Sequence, residues 1–216
     1  MEIINIGKEN SIFNQFISEI RNVDVQNDRM RFRRNCERMG EIFAYEISKR
    51  FDYEPKSITT PLGISETELI IEQPVLATIL RAGLPLHQGL LNYYDNADNA
   101  IVSAYRKHKK DGSFVIEAKY MASPSLENRT VILSDPMLAS GASMVEIYKL
   151  LLDKGTPKKI HIVALIASKE GVNFVKRCLP NDTTLWVGSI DDELTAQSYI
   201  VPGLGDAGDL AYGSKE

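Results

Sequence analysis

"VILSDPMLASGASMVEIYKLL", residues 131–151, decides the fold because it joins three kinds of segment within one short stretch. The continuous apolar run at 131–133 is typical of a strand that is buried on both faces. Asp135 follows at once, and a loop of mostly small residues leads into apolar side chains at helical spacing over 144–151. The stretch therefore predicts a strand, a loop and a helix, with one carboxylate at the carboxyl end of the strand.

The same order of apolar run and helical pattern recurs along the chain. We predict strands at 74–80, 100–105, 131–133, 160–167 and 185–190. Amphipathic helices are expected after Pro85, over 144–151 and over 172–179, and two more, spanning 12–20 and 32–47, open the chain. This order predicts an α/β fold, a doubly wound and mainly parallel sheet that is flanked by helices.

One interval departs from that order. The stretch "RKHKKDGSFVIEAKYM", residues 106–121, places a Lys-Asp-Gly turn signal before a β-rich run. This pattern favours a β-hairpin. We predict a mobile flap that projects from the sheet.

Composition restricts the function classes. The chain has 216 residues and a formal net charge of −4, which gives no general attraction for nucleic acid. We predict a single domain over 1–216, in the cytoplasm and without a membrane partner, because the sequence has no membrane-length apolar run and no signal-peptide pattern. Cys36 and Cys178 show neither disulfide nor metal-ligand spacing, so no protein-only metal site is expected.

The loop after Asp135 predicts a phosphate site. Parallel sheets bind ligands beyond the carboxyl ends of their strands, and backbone N–H groups of small residues can approach an anion closely. Ser143 and Glu146 have the S-x-x-E form of a capping box, which predicts that the next helix begins there and ends at Gly155. Asp135 would hold sugar hydroxyls or, through water, a divalent cation. A tight connection in which Asp135 only caps a turn stays open.

Two arginines follow predicted strands in the same way. Arg81 comes after the run at 74–80, and Arg106 comes after the run at 100–105. With a metal ion, the two guanidinium groups could clamp a diphosphate. For either arginine alone, a solvated cation at a strand end is the commoner case, and only the coincidence of three strand ends favours a binding role.

The carboxyl-terminal stretch "YIVPGLGDAGDLAYG", residues 199–213, is the third signal. Gly203, Gly205 and Gly208 match G-x-G-x-x-G, but the chain ends before the acidic residue that a dinucleotide site requires. We interpret the stretch as a packed Gly-rich loop that contains Asp206 and Asp209. Its main-chain donors and acceptors could bind a flat polar ring.

Four ordered motifs resemble those of uracil phosphoribosyltransferases: "ILRAGL" at 79–84, "YR" at 105–106, "DPMLASGAS" at 135–143 and "YIVPGLGDAGD" at 199–209. Weaker similarity at 31–48 and 167–175 extends the resemblance over nearly the whole chain. It implies a type I phosphoribosyltransferase fold that binds 5-phosphoribosyl diphosphate (PRPP) with Mg²⁺, joins uracil N1 to the ribose, and forms UMP and diphosphate. It also implies a homo-oligomer, a dimer or higher.

The resemblance assigns roles residue by residue. The catalytic residues it implies are Arg81, Arg106, Asp135 and Asp206. PRPP would be bound by Arg81, Arg106, Asp135, Pro136, Met137, Leu138, Ala139, Ser140, Gly141, Ala142, Ser143 and Asp206. Uracil would be bound by Ile200, Gly205, Asp206 and Ala207. Mg²⁺ would be held mainly by PRPP and water.

Departures from the family pattern lie within these motifs. The family usually has Thr-Gly-Gly where this chain has Ser140, Gly141 and Ala142, and an alanine with positive φ would cost about 1 kcal/mol or more. We therefore expect the loop to bend differently at Ala142. Leu210 stands where the family tends to have a basic residue.

Two other functions stay open from the sequence. A protein of this fold could sense nucleotides or bind RNA, and "RMRFRR" at 29–34 places four arginines around Phe32. Such a cluster is more often the solvated face of a helix. An enzyme of the same fold could also use a purine or another base.

Overall fold

The computed structural model describes residues 1–108 and 114–215, with the backbone alone between 104 and 119. The strands are β1 (Glu2–Asn5), β2 (Tyr53–Thr60), β3 (Gly63–Ile70), β4 (Val75–Leu80), β5 (Asp98–His108), β6 (Phe114–Ala122), β7 (Thr130–Ser134), β8 (Met137–Leu138), β9 (Lys159–Ser168), β10 (Thr184–Asp191), β11 (Glu193–Leu194) and β12 (Ile200–Val201). The helices are α1 (Ile12–Arg21), α2 (Arg29–Ser48), α3 (Leu84–Leu91), α4 (Ala142–Leu151), α5 (Lys169–Cys178) and α6 (Ala207–Tyr212).

The main sheet confirms the predicted fold class. Its strand order is β1-β10-β9-β7-β4-β5-β6, and the short strand β8 also pairs with β9. The pairings are parallel except between β5 and β6, which are antiparallel. The five predicted strands and five predicted helices all form. The sheet is therefore doubly wound and mainly parallel.

Alternate side chains of one strand pack into two separate cores. Ile132 of β7 belongs to the core that contains side chains of α1, α2 and α3. Its neighbours Val131 and Leu133 belong to the core that contains side chains of α4 and α5. Because both faces of β7 are buried, its sequence is continuously apolar and not alternating.

The predicted flap is partly described. Strands β5 and β6 pair antiparallel, from Ile101 opposite Ala122 to His108 opposite Phe114, so the hairpin is confirmed. The Lys-Asp-Gly turn signal at 110–112 lies outside the described residues. Mobility of the flap stays a prediction.

A second hairpin was not predicted. Strands β2 and β3 pair with each other in their own two-stranded sheet, and most of their residues are exposed. We call residues 53–70 the arm. Leu62 at its turn is fully exposed, and Ile64 is 75% exposed. The arm therefore presents apolar side chains away from both cores.

The predicted start of α4 was wrong. The helix begins at Ala142, and its N-cap is Gly141, which has φ 79° and provides no side-chain cap. Glu146 instead lies 2.7 Å from Lys149, so the capping box does not form. The positive φ expected near Ala142 falls on Gly141, and Ala142 is helical. Gly155 does end the helical segment, after a 3-10 turn at Leu152–Lys154.

His161 of β9 is expected to make the free energy of unfolding depend on pH. The side chain is completely buried, and the Trp186 indole Nε1–H donates to its Nδ1 over 3.1 Å. Burial, together with the charges of Lys159 and Arg50, lowers the pKa of His161 from 6.5 to about 3. The unfolded chain binds a proton near pH 6.5, whereas the folded chain does not, so acidification favours unfolding between about pH 6.5 and pH 3.

We expect His161→Gln to flatten this dependence, because the glutamine amide keeps an acceptor for Trp186 but does not titrate. Between about pH 7.5 and about pH 5, the parent should lose about 2 kcal/mol more unfolding free energy than the variant. Urea denaturation at the two pH values measures the difference. Equal losses in the parent and the variant would contradict the assignment.

Within the part of the chain that the structure describes, no helix is long and apolar enough to cross a membrane. Cys36 is buried, and Cys178 is exposed. Burial raises the pKa of the Cys36 thiol to about 12, so this thiol stays protonated at neutral pH. Neither cysteine is paired in a disulfide.

Candidate active site

Two predicted residues lie at the carboxyl ends of neighbouring strands. Arg81 follows the last residue of β4, and Asp135 follows the last residue of β7. These two strands pair in parallel, so their ends meet at one edge of the sheet. The Asp135 N–H still donates to Val163 of β9 over 3.1 Å, which fixes its backbone to the sheet, and the residue is half-buried.

We predicted that Arg106 lies at the end of a strand, and this prediction was wrong. Strand β5 continues to His108, and Arg106 pairs with Ile116 inside the flap hairpin. Its side chain lies outside the described residues.

The loop at 135–143, which we call the phosphate loop, is supported by the start of α5. The Ser168 hydroxyl donates to the Ala139 carbonyl over 2.6 Å and accepts from the Gly171 N–H over 2.8 Å. A Cβ at Gly171 would lie 2.2 Å from the Ala139 oxygen, so only glycine permits this contact. The phosphate loop is therefore held by a bond from Ser168, the N-cap residue of α5, and by close contact with Gly171 in the first turn of that helix.

The amino end of α4 faces this loop without a side-chain cap. The first N–H groups of any helix have no partner within it, and its dipole places partial positive charge there. Ser143 and Met144 lie in the first turn of α4, and both line the cleft described below. This arrangement is suited to binding a phosphate group.

Arg81 joins the first motif to the last one. Its Nη2 donates to Asp209 Oδ1 over 3.1 Å and to the Gly213 carbonyl over 3.2 Å. Its Nε is buried and has no hydrogen-bond partner among the described residues. The Leu80–Arg81 peptide is cis. Strand β4 and the carboxyl-terminal segment are thus linked through one guanidinium group.

The predicted base-binding loop is partly helical. After strand β12, residues 202–206 form a loop, and α6 begins at Ala207. Asp206 caps this helix, because its Oδ1 accepts from the Asp209 N–H over 3.0 Å. Gly205 has φ 93° and open space where a Cβ would stand, so a flat ligand could approach its backbone.

These segments surround one cleft of about 1120 Å³. The predicted site residues that line it are Arg81, Asp135, Met137, Leu138, Ala139, Ser140, Gly141, Ser143, Ile200, Gly205, Asp206 and Ala207. Pro136 and Ala142 do not line it. Pro136 instead accepts from the N–H groups of Leu165 and Ile166. Three stretches that are distant in sequence therefore converge on one cavity.

A smaller cavity of about 250 Å³ contains none of the predicted site residues. Its lining includes Arg50, Phe51, Thr130 and Lys159. Thr130 and Lys159 are the first residues of β7 and β9, so this cavity lies at the amino end of the sheet. Ligands of such sheets bind at the opposite end.

Two parts of the cleft were not predicted. Residues 196–198, just before the predicted base-binding loop, contribute a turn in which Ser198 has φ 63° and the N–H of Tyr199 donates to Thr195 Oγ1 over 3.1 Å. Lys215 contributes an exposed ammonium group 3.9 Å from Asp206 Oδ2. The sequence "TAQSY" has no recognisable ligand motif, and a lysine near the chain end is common. The sequence therefore gave no sign that either part lines the cleft.

The family model described as uracil phosphoribosyltransferase matches residues 8–214. The chain belongs to that family. A uracil phosphoribosyltransferase of Porphyromonas gingivalis is 54% identical over 215 residues, and the match covers 100% of each chain. One from Methanococcus vannielii is 39% identical and covers 91% of this chain and 84% of its own.

A solved structure has the same fold over nearly the whole chain. A protein from Aquifex aeolicus superimposes with a TM-score of 0.86 and 26% sequence identity, and the match covers 98% of each chain. The family match at residues 8–214 includes the arm, the flap strands and the carboxyl-terminal segment. The resemblance in the four motifs is therefore confirmed as family membership.

Proposed function

We propose that this protein transfers the 5-phosphoribosyl group of PRPP to N1 of uracil, which gives UMP and diphosphate. The observation that carries the proposal is the link from Arg81 to Asp209 and Gly213, because it joins the predicted diphosphate and base segments at one cleft. Family membership supports the choice of uracil. The named residues act together only if one ligand spans that cleft.

The 5′-phosphate is assigned to the phosphate loop. Backbone N–H groups from Ser140 to Ser143 and the amino end of α4 would donate to its oxygens. The small side chains leave the backbone accessible, and Ser168 keeps the Ala139 peptide in place. Asp135, at the start of the loop, would accept from the ribose hydroxyls.

The diphosphate is assigned to Arg81 and Arg106. As the bond from ribose C1 to the diphosphate oxygen breaks, positive charge builds on the sugar and negative charge on the leaving group. A guanidinium group that is already fixed stabilises that negative charge without further rearrangement. Asp209 holds Arg81 in this way.

The residues of the cleft fit a Mg²⁺ ion that is bound mainly by PRPP. Among the described side chains, no cluster of three or more acidic, histidine or cysteine residues could hold a metal ion. Mg²⁺ commonly uses one or two carboxylates together with phosphate oxygens and water, and Asp135 is a carboxylate within the cleft. When bound, Mg²⁺ would neutralise charge on the diphosphate.

Uracil is assigned to Ile200, Gly205, Asp206 and Ala207. The edge of uracil has one N–H donor between two carbonyl acceptors, which backbone groups of a loop can match. A base without that edge would leave buried polar groups unpaired, and this costs affinity. Asp206 caps α6 and lines the cleft, so its carboxylate is held where it would lie close to both the base and the sugar.

The arginine cluster gives no support to RNA binding. Arg31 lies 3.4 Å from Glu19, and Arg34 lies 2.6 Å from Glu37. Arg33 donates to the Ala211 carbonyl over 2.7 Å and lies over the Tyr212 ring. Several charges of the cluster are thus neutralised by, or packed against, the protein itself.

The experiment that tests the proposal measures PRPP-dependent nucleotide formation with uracil, hypoxanthine and adenine in parallel, with Mg²⁺ present. We expect UMP from uracil and no nucleotide from either purine. If a purine is converted and uracil is not, the purine is the substrate and the assignment of uracil is wrong. Binding of PRPP or UMP without turnover of any base would support a sensor.

We also propose a single catalytic domain over residues 1–216 that acts in the cytoplasm, where phosphorylated metabolites such as PRPP occur, and that assembles as a homo-oligomer. The arm supports assembly, because an isolated two-stranded hairpin is only marginally stable in water and needs a packing partner. Leu62 and Ile64 would supply apolar contacts to a second copy.

Replacement of both residues, Leu62→Ser with Ile64→Ser, is expected to shift the protein toward the monomer. The loss of two buried apolar contacts would remove about 3 to 6 kcal/mol from the interface. Light scattering after size-exclusion chromatography measures the mass. Ile12→Ser, which changes an exposed apolar residue on α1, is the control. A parent protein that is itself monomeric would contradict the proposal.

A further inference from the structure

A buried ion pair lies behind the base-binding loop. Arg21, the last residue of α1, meets Asp191, the last residue of β10. Two parallel bonds of 2.7 Å join Nη1 to Oδ2 and Nη2 to Oδ1. The exposed fractions of the two side chains are 20% and 6%. Ser189 completes the group by accepting from Arg21 Nη2 over 2.9 Å.

Both backbone groups of Gly203 bind this pair. The Gly203 N–H donates to Asp191 Oδ2 over 2.9 Å, and its carbonyl accepts from Arg21 Nη1 over 2.9 Å. Gly203 has φ 57°, and a Cβ there would lie 2.1 Å from the Ile200 carbonyl oxygen. The ion pair therefore holds the backbone at a point that only glycine can occupy.

Gly203 lies between the residues proposed to bind uracil. Ile200 is three residues before it and Gly205 two residues after it, and both line the cleft. Gly203 is buried, and neither it nor the two ion-paired residues line the cleft. A shift at Gly203 would therefore displace two uracil-binding segments relative to each other.

We infer that Arg21 and Asp191 are positioning residues that set the affinity for uracil by fixing the backbone of Gly203 between Ile200 and Gly205. The inference rests on the proposed function. Neither residue has a place in the phosphate loop, which is held by Ser168 of β9 and the start of α5. The expected effect is thus larger for uracil than for PRPP.

Electrostatics make the pair sensitive to the loss of either member. Burial on its own raises the pKa of Asp191, but the bonds from Arg21 and Gly203 outweigh it, so the pKa is lowered and the carboxylate stays ionised. Removal of one partner from such a pair leaves the other charge buried without compensation. Each single substitution should therefore disturb the loop, and the double substitution should add little.

The test compares Asp191→Asn, Arg21→Met and Arg21→Lys with the parent. We expect KM for uracil to rise about tenfold or more in the first two, with KM for PRPP within about threefold of the parent. Arg21→Lys keeps the charge but loses the planar fork, so an intermediate KM is expected. The double variant Arg21→Met with Asp191→Asn should resemble the single ones.

Arg129→Gln is the matched control. Arg129 is 24% exposed, pairs with Glu72 at 2.7 Å and with Asp98 at 3.1 Å, and donates to the Gln73 carbonyl. It resembles Arg21 in burial and bonding, but it lies beside the first residue of β7, away from the cleft. This control should lose thermal stability without a selective change in KM for uracil.

Several outcomes would overturn the inference. If the parent forms UMP and both single variants keep KM for uracil within about twofold, the pair does not position the base. An equal rise of both KM values, as from general loosening, would also refute it. If the parent forms no UMP, the proposed function fails, and hydrogen exchange of amides 200–206 decides the positioning role. Asp191→Asn must accelerate exchange there for the inference to survive.

Discussion

Replacement of Arg81 by glutamine is expected to lower kcat/KM for UMP formation about 1000-fold or more. The substitution removes the cation proposed to stabilise the departing diphosphate, and the loss of a single preorganised donor typically costs 100-fold to 1000-fold. It also removes the bonds to Asp209 and Gly213 that hold the carboxyl-terminal segment. Initial rates with labelled uracil, at saturating and limiting PRPP, measure the change.

Two further variants separate the charge of Arg81 from its structural link. Asp209→Asn weakens the link but leaves the guanidinium group in the cleft, so a loss of about tenfold or less is expected. Arg81→Lys keeps a charge but not the bidentate geometry, and an intermediate loss should follow. If Arg81→Gln keeps kcat/KM within tenfold of the parent, Arg81 does not stabilise the departing diphosphate. Equal losses in the glutamine and Asp209 variants would assign it a structural role only.

The main sheet could be predicted because its strands are buried on both faces. Val131, Ile132 and Leu133 pack alternately into two cores, so that the segment reads as a continuous apolar run. The same relation holds along β9, where every residue after Lys159 is buried. Helices that cover both faces follow from that pattern, as do the strand ends at which Arg81 and Asp135 lie.

The arm could not be recognised by the same rule. Strands β2 and β3 are almost entirely exposed, so their sequence is not shaped by a core. Pro61 and Gly63 do mark the turn between them, and this turn signal was the only local indication. Strand β1 was missed for a related reason, because it is a four-residue edge strand with no buried position.

Hydrogen bonds between residues far apart in the chain could not be predicted from the sequence either. Arg21 and Asp191 lie 170 positions apart and belong to no motif, yet they determine where Gly203 stands. Neighbouring residues "IDDE" at 190–193 offer several acidic candidates, and only the fold selects Asp191. The residues that contact a ligand can be found by motif, whereas those that hold the motif in place depend on the assembled structure.

The start of α4 shows how a local signal can be overridden. Ser143 and Glu146 have the spacing of a capping box, but Gly141 turns the chain with φ 79° and the helix begins before Ser143. Gly141 lies against α5, where a Cβ would stand 3.0 Å from both the Gly171 oxygen and Val175 Cγ1. Packing between two helices thus fixes the turn, and the capping signal has no role.

Gly141→Ala is expected to raise KM for PRPP about 100-fold and to lower the unfolding free energy by about 1 to 3 kcal/mol. A left-handed alanine costs about 1 to 2 kcal/mol, and the new methyl group must also displace Gly171 or Val175. Relief of both strains would rotate the first N–H groups of α4 away from the phosphate. Steady-state kinetics with varied PRPP and urea denaturation measure the two effects.

Ala142→Gly is the matched substitution one residue further on, and it restores the glycine that the family usually has. Because Ala142 is helical and has no positive φ, it imposes no strain on the loop. The change should leave KM for PRPP within about threefold of the parent and cost at most about 1 kcal/mol of stability. A tenfold gain in activity would show that Ala142 does strain the phosphate loop. If Gly141→Ala had no larger effect than Ala142→Gly, the left-handed turn at Gly141 could not be what aims the helix at the phosphate.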